Sequence, residues 1–200
     1  MNTIVENENT DNTSLSSSNS IETKIKQINK QNNHYSRKLK IIAELLNGIC
    51  QENKSNTEEN MILLKSFISK KIPSVSIFDY IERLSKYGRA NEEICIFILI
   101  YLDKICAMHR INLNYYIIHK LILASFVCSV KFHEDEYYSI GFYAKLGGVS
   151  KKDAINLEYE FISLMDFKLF VNQELYNKYC NNLINLEDID IDDDYDFVVN

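Results

Sequence analysis

An all-α bundle is the fold class this sequence predicts, on three observations. Its 200 residues contain one proline and five glycines, too few turn-formers for a protein of many short strands. Apolar residues recur at helical spacing in one segment after another. Two stretches, 94–102 and 121–130, are apolar on nearly every side, as helices in the middle of a bundle are.

The chain is long enough for one domain with flanking segments. Residues 1–33 are rich in Asn, Ser, Thr, Glu and Lys and nearly free of aromatics. Such a segment buries too little apolar area to offset its ordering entropy, so a disordered polar tail is expected there. Flanking helices follow over 34–71. The first, about 35–51, places Leu39, Ile42, Leu45, Leu46 and Ile49 at helical spacing. The second, about 57–69, carries Met61, Leu64, Phe67 and Ile68 on one side, and Pro73 stops it because a residue before proline avoids the helical region.

Five helices then make the compact unit, 72–170. Ser76 with Asp79 resembles a capping box and opens a helix whose buried face is Ile77, Tyr80, Ile81 and Leu84. Gly88 is expected to end it in a left-handed conformation. Asn91 caps the next, with Glu92 and Glu93 well placed in the first turn of a helix running to about residue 110. The third spans about 114–132. A short helix at 137–146 closes at Gly147 and Gly148. Ser150 and Asp153 repeat the capping pattern and open a fifth helix to about 166, with Ala154, Leu157, Phe161 and Leu164 facing inward. A C-terminal helix at about 173–184, within the segment 171–186, precedes an acidic tail at 187–200.

Function classes narrow from the same residues. A formal net charge of -6 with no basic stripe argues against a nucleic-acid partner. The apolar runs are far shorter than a bilayer demands, and the polar N-terminus does not read as a signal peptide, so an intracellular, membrane-free protein is expected. Five scattered cysteines without a CxxC pair fit free, mostly buried thiols in a reducing compartment. Cys106 and His109 stand three apart on one helix, but no further ligands lie nearby, and a zinc site needs four. Gly147-Gly148 lacks the pattern of a phosphate loop. His119, in an apolar helix, reads as a satisfied core or interface histidine. No cofactor, metal, small-molecule substrate or catalytic residue is expected.

Four stretches of sequence, in order, carry a family resemblance: SIFDYIERLSKY, IYLDKI, the helix end CSVKFHEDEYYSIGFYAKLGGVS, and NLEYEFISLMDFKL. Together they resemble a cyclin box, most closely that of the P-type (U-type) cyclins of phosphate signalling, over residues 72–179. The resemblance implies a single five-helix cyclin box with flanking helices. It implies a non-enzymatic regulatory subunit that binds and activates a cyclin-dependent serine/threonine kinase as a heterodimer. Lys131 and Glu158 stand where the family's lysine and glutamate meet the loop leading into the kinase's regulatory helix. An ammonium that donates beside a carboxylate that accepts can clamp irregular backbone; outside the family context the same two residues read as an ordinary surface ion pair. Phe132, Ile162 and Phe167 match positions of apolar kinase contact, with core packing as their alternative. Asp103 matches an aspartate that braces the box internally. Many cell-cycle cyclins pair that aspartate with an arginine in a motif that also docks substrates. The corresponding residues here are Pro73, Ser74, Val75, Ser76 and Ile77, so that mode of docking is not expected. Ile140 stands where P-type relatives tend to carry asparagine. The acidic loop 134–136 reads as solvated, with basic kinase residues as the lesser alternative. A rival reading is a cyclin-fold adaptor or scaffold, transcription-factor-IIB-like or non-activating. The resemblance does not separate cell-cycle from nutrient signalling, nor nucleus from cytoplasm.

Overall fold

The structure, a computed structural model, describes residues 14–53 and 63–195. Among them are seven helices and no strand: α1 (Ser14–Glu52), α2 (Ile77–Tyr87), α3 (Ile94–His109), α4 (Ile118–His133), α5 (Ile140–Gly147), α6 (Lys151–Leu164) and α7 (Gln173–Tyr195). The all-α expectation holds.

The chain divides into two compact units, residues 1–36 and 37–200. In the first, the backbone is helical from Ser14, where a tail without structure was expected to residue 33. Its Lys, Gln and Ile residues are tolerable helix formers with no glycine or proline among them. Residues 1–13 lie outside the described residues. The rest of α1 belongs to the second unit and buries Leu39, Ile42, Ala43, Leu46 and Cys50. Ile49, expected on that face, is exposed.

The expected helix at 57–69 is a turn where it is described, from residue 63; Met61 lies outside the described residues. Leu64 and Phe67 are buried as expected. Lys120 ties this turn down by donating to the Ser66 and Ile68 carbonyls at 2.9 and 3.0 Å.

Both capping pairs form. The Ser76 hydroxyl accepts from the Asp79 amide at 3.0 Å, and the Ser150 hydroxyl accepts from Asp153 at the same distance. The faces expected to be buried on α2 and α6 are all buried. Three starts shift. α3 begins at Ile94 because the Asn91 side chain accepts from the Glu93 amide and caps a turn before the helix. α4 begins at Ile118 after a turn at 115–117. α5 begins at Ile140, capped by Ser139 rather than by the preceding loop. α7 runs on to Tyr195, since nothing between 187 and 194 is a helix breaker.

Gly88 corrects an expectation. Its φ is -85°, not left-handed; Arg89 takes the positive φ of 57° instead. Glycine is required for space: a Cβ there would sit 2.3 Å from the Leu84 carbonyl oxygen and 2.3 Å from Phe126. Gly148, with φ 72°, is the left-handed cap of α5.

α3 and α4 pack against each other at the centre, with α6, α5 and α2 against α4 and α7 against α3. Two buried tyrosines stitch α2 to α5. Tyr80 donates to the Gly147 carbonyl at 3.0 Å and Tyr143 donates to the Gly88 carbonyl at 3.1 Å. Cys50, Cys95 and Cys128 are buried; Cys106 and Cys180 are partly so, and all five are free. Burial pushes the Cys50, Cys95 and Cys106 thiols up to about 12, so these thiols stay protonated. No helix among the described residues is long and apolar enough to cross a membrane.

Candidate functional site

The last turn of α4 and the middle of α6 come together. Lys131 reaches across from α4 and its Nζ lies 2.6 and 2.8 Å from the two carboxylate oxygens of Glu158. The side chains retain 28% and 18% of their exposure, so the pair is partly sheltered yet reachable. Breaking such a pair from one side strands a half-buried charge, at a cost of about 1–3 kcal/mol, between the values for surface and fully buried pairs. Beneath it, burial raises the Cys128 thiol, the adjacent Glu158 carboxylate adding to the effect.

The elements that carry the pair also carry exposed apolar residues, which form the ledge. Phe132, the next residue on α4, is half exposed. On α6, Ile155, Glu158, Tyr159 and Ile162 follow the i, i+3, i+4, i+7 rhythm of one helix face. Ile155 and Tyr159 are exposed and Ile162 is half-buried. Beyond α6 the chain turns sharply. Asp166 and Phe167 both take positive φ, 50° and 58°. Consecutive left-handed non-glycine residues cost about 1–2 kcal/mol each and persist only where surroundings hold them. The Asp166–Lys168 ion pair (2.6 Å) and the Phe167 amide bond to the Ile162 carbonyl (3.0 Å) supply part of that hold. The turn leaves Phe167 at 70% and Phe170 at 74% exposure. So large an exposed aromatic area is unusual on a surface without a partner.

A buried hydroxyl connects the two edges of the ledge. Tyr101 of α3 donates to the Leu169 carbonyl at 2.7 Å, and its oxygen lies 3.0 Å from His133 Nε2 at the end of α4. A carbonyl can only accept, so the single hydroxyl proton goes to Leu169 and His133 must donate through Nε2. The His133 ring stacks on Phe97 at 3.6 Å and 6°. Burial lowers the His133 pKa and holds the Tyr101 phenol well above its ordinary value, so both stay neutral near pH 7.

The remaining residues singled out from sequence fall elsewhere. Asp103 is exposed on α3, and its carboxylate accepts from the Tyr179 hydroxyl of α7. That partner lies on the C-terminal helix, outside the five-helix set that Asp103 was expected to brace. The acidic loop is largely engaged internally: Glu136 pairs with Arg89, and Glu134 accepts from the Asn91 amide at 3.0 Å. His109 Nε2 lies 2.8 Å from the Leu164 carbonyl, which gives it a structural bond. No group of three metal-ligating side chains occurs among the described residues. His119 Nε2 donates to the Val75 carbonyl at 2.9 Å while Nδ1 is buried without a partner, so the imidazole is half satisfied. It borders a cleft of about 570 Å³ lined by Pro73, Val75, Ile77 and Lys40. Sequence reasoning missed Tyr159, Phe170, Tyr101 and His133. The rhythm of α6 could have pointed to Tyr159. The other three depend on bonds and turns between distant residues, for which no local pattern exists.

Comparison with known proteins finds relatives over most of the chain. The family model described as Cyclin matches residues 2–169. Cyclin-P3-1 of Oryza sativa subsp. japonica is 29% identical over 161 residues, covering 80% of this chain and 68% of the rice protein. Cyclin-U2-1 of Arabidopsis thaliana is 34% identical over 58% of this chain and 53% of its own length. PHO85 cyclin-7 of Saccharomyces cerevisiae is 31% identical over 68% of this chain and 52% of its own. The chain thus spans about half the length of the latter two relatives.

Proposed function

The chain belongs to the cyclin family, of the kind grouped with P-type, U-type and PHO85 cyclins, and from that premise we propose that it binds and activates a cyclin-dependent serine/threonine kinase. The observation that carries the reading is the sheltered Lys131–Glu158 pair, with exposed Phe132 next to it on α4 and exposed Tyr159, Phe167 and Phe170 on α6 and the turn that follows. A protein interface with an aromatic centre and charged groups within it has this composition.

The chemistry follows from the groups present. Lys131 Nζ has three hydrogens and spends two on Glu158, leaving one for a backbone carbonyl of the kinase. Glu158 oxygens retain lone pairs for a backbone amide. Phe132, Ile162 and Phe167, with Tyr159 and Phe170, supply the apolar area. No catalytic group is offered to the phosphoryl transfer. A protein kinase is active when its strand lysine pairs with the glutamate of its regulatory helix and its activation segment is ordered. A rigid helical ledge that binds that arrangement better than the inactive one raises its population by the difference in affinity. Free thiols held out of the thiolate range suit an intracellular, reducing setting.

The experiment is a pulldown with kinase assay, wild type against the Lys131→Ala, Glu158→Ala double variant. Removing both charges leaves no stranded ion, so the variant should fold with stability within about 1 kcal/mol of wild type. Kinase recovery and activity should fall at least tenfold, as expected when a charge-assisted contact inside an interface is lost. Equal recruitment and activation by both forms would reject the proposal.

A further inference from the structure

Resting on that reading of the ledge, we infer that the Tyr101 hydroxyl is a positioning group that fixes the end of α4 against the turn presenting Phe167 and Phe170. Tyr101 is fully buried and cannot touch a partner. Its one hydroxyl joins two segments far apart in sequence: His133, two residues beyond Lys131, and Leu169, two residues beyond Phe167 and next to Phe170. Without that joint the two edges of the ledge would be set independently, one by α4 and one by the end of α6.

The turn has particular need of an outside hold. Its left-handed residues, Asp166 and Phe167, are tied to α6 through the Ser163 and Ile162 carbonyls, and Lys168 to Met165. Those bonds stop at residue 168. The described bonds that reach 169 and 170 come from α3: the Tyr101 hydroxyl at 2.7 Å and the Lys104 ammonium at 3.4 Å from the Phe170 carbonyl. The first is short and buried; the second is long and exposed, and so weaker. Phe170 therefore points where Tyr101 lets it point. The tyrosine ring has its own packing, against Phe97 and Phe161 at 6.4 Å each, so ring and hydroxyl can be separated experimentally.

Tyr101→Phe makes that separation. In the free full-length chain, amide exchange should speed up over residues 166–171, and the His133 ring nitrogens should shift as Nε2–H loses its acceptor, with the other helices unchanged. Binding to the kinase recovered with the wild-type chain should weaken roughly five- to tenfold, the worth of one buried hydrogen bond. The deciding measurement is a double-variant cycle. If the hydroxyl positions the turn, Phe167→Ala costs less affinity in the Tyr101→Phe background than in wild type; a purely structural role leaves the two costs additive. Unchanged exchange at 166–171, or a full Phe167 increment in both backgrounds, overturns the inference. Wild-type binding by Phe167→Ala alone would instead overturn the kinase reading, and the exchange data on the free chain separate the two failures.

Discussion

Two regions of the same bundle, one closed and one open, spend their aromatic residues in opposite ways. Where α2 meets α5, Tyr80 and Tyr143 are buried, donate to the Gly147 and Gly88 carbonyls, and pack so closely that Phe126 leaves no room for a side chain at Gly88. Where α4 meets α6 and its following turn, Phe132, Tyr159, Phe167 and Phe170 stand in solvent on the elements that carry the Lys131–Glu158 and Asp166–Lys168 ion pairs. The first end has its hydrogen bonds closed and its volume filled. The second carries backbone strain at residues 166 and 167 and open apolar area, neither of which helps the free chain fold. On the proposed reading, stability and recognition fall to different regions, and substitutions should sort by region.

The largest expected effect is at the closed end. Gly88→Val drives a branched side chain into the Leu84 carbonyl and the Phe126 ring, and overpacking of this kind costs about 3 kcal/mol. Urea unfolding should show that loss, while kinase affinity of the folded fraction should stay at the wild-type value. A fall in affinity at unchanged stability would break the division.

Next comes Phe167→Gly at the open end. Glycine relieves the left-handed strain and adds unfolded-chain entropy, two opposing effects of about 1 kcal/mol each, so stability should change little. Affinity should drop by about 2 kcal/mol, near thirtyfold, as for a central aromatic anchor. Calorimetry on the free chain and on its kinase complex measures both numbers, and a large stability loss without an affinity loss would place Phe167 with the packing residues.

Much of the helical framework was readable without coordinates. The serine–aspartate spacings at 76/79 and 150/153 mark helix starts because a cap is a local bond, and the buried faces of α2 and α6 follow from 3.6-residue periodicity. Gly88 misled because glycine serves both left-handed turns and tight contacts, and only the position of Phe126, 38 residues on in sequence, separates them. The open end was legible through family resemblance alone: nothing local says that Lys131 and Glu158 meet. The aspartate at 103 kept its place but takes a tyrosine from α7 as its partner, a bond that sequence spacing does not encode. Left-handed residues at 166 and 167 have no compositional signal, since neither is glycine.

The smallest effect is in pH. Burial lowers the pKa of His119, packed edge-on against Tyr80, and of His133, at the open end. A folded-state pKa below the unfolded value means that the unfolded chain binds more protons on acidification. Stability should therefore be full above the unfolded histidine value, about 6.5, and fall as pH drops below it. Unfolding midpoints at pH 7.5 and 5.5 test the sign. His119→Gln should remove most of the slope, because His119 is the more deeply buried, and an equal slope in that variant would assign the effect to the open end.

One consequence follows from the closeness of Lys131 Nζ to both Glu158 oxygens. Opposite charges so near one another present a short dipole to anything more than a few ångströms away, and its field decays faster than that of either ion alone. A partner approaching that patch meets neither a beacon nor a barrier. The rate of encounter there should vary little with ionic strength and lie in the ordinary range of about 10⁵–10⁷ M⁻¹s⁻¹. Discrimination among partners then rests on how long the complex lasts, which the aromatic rings decide.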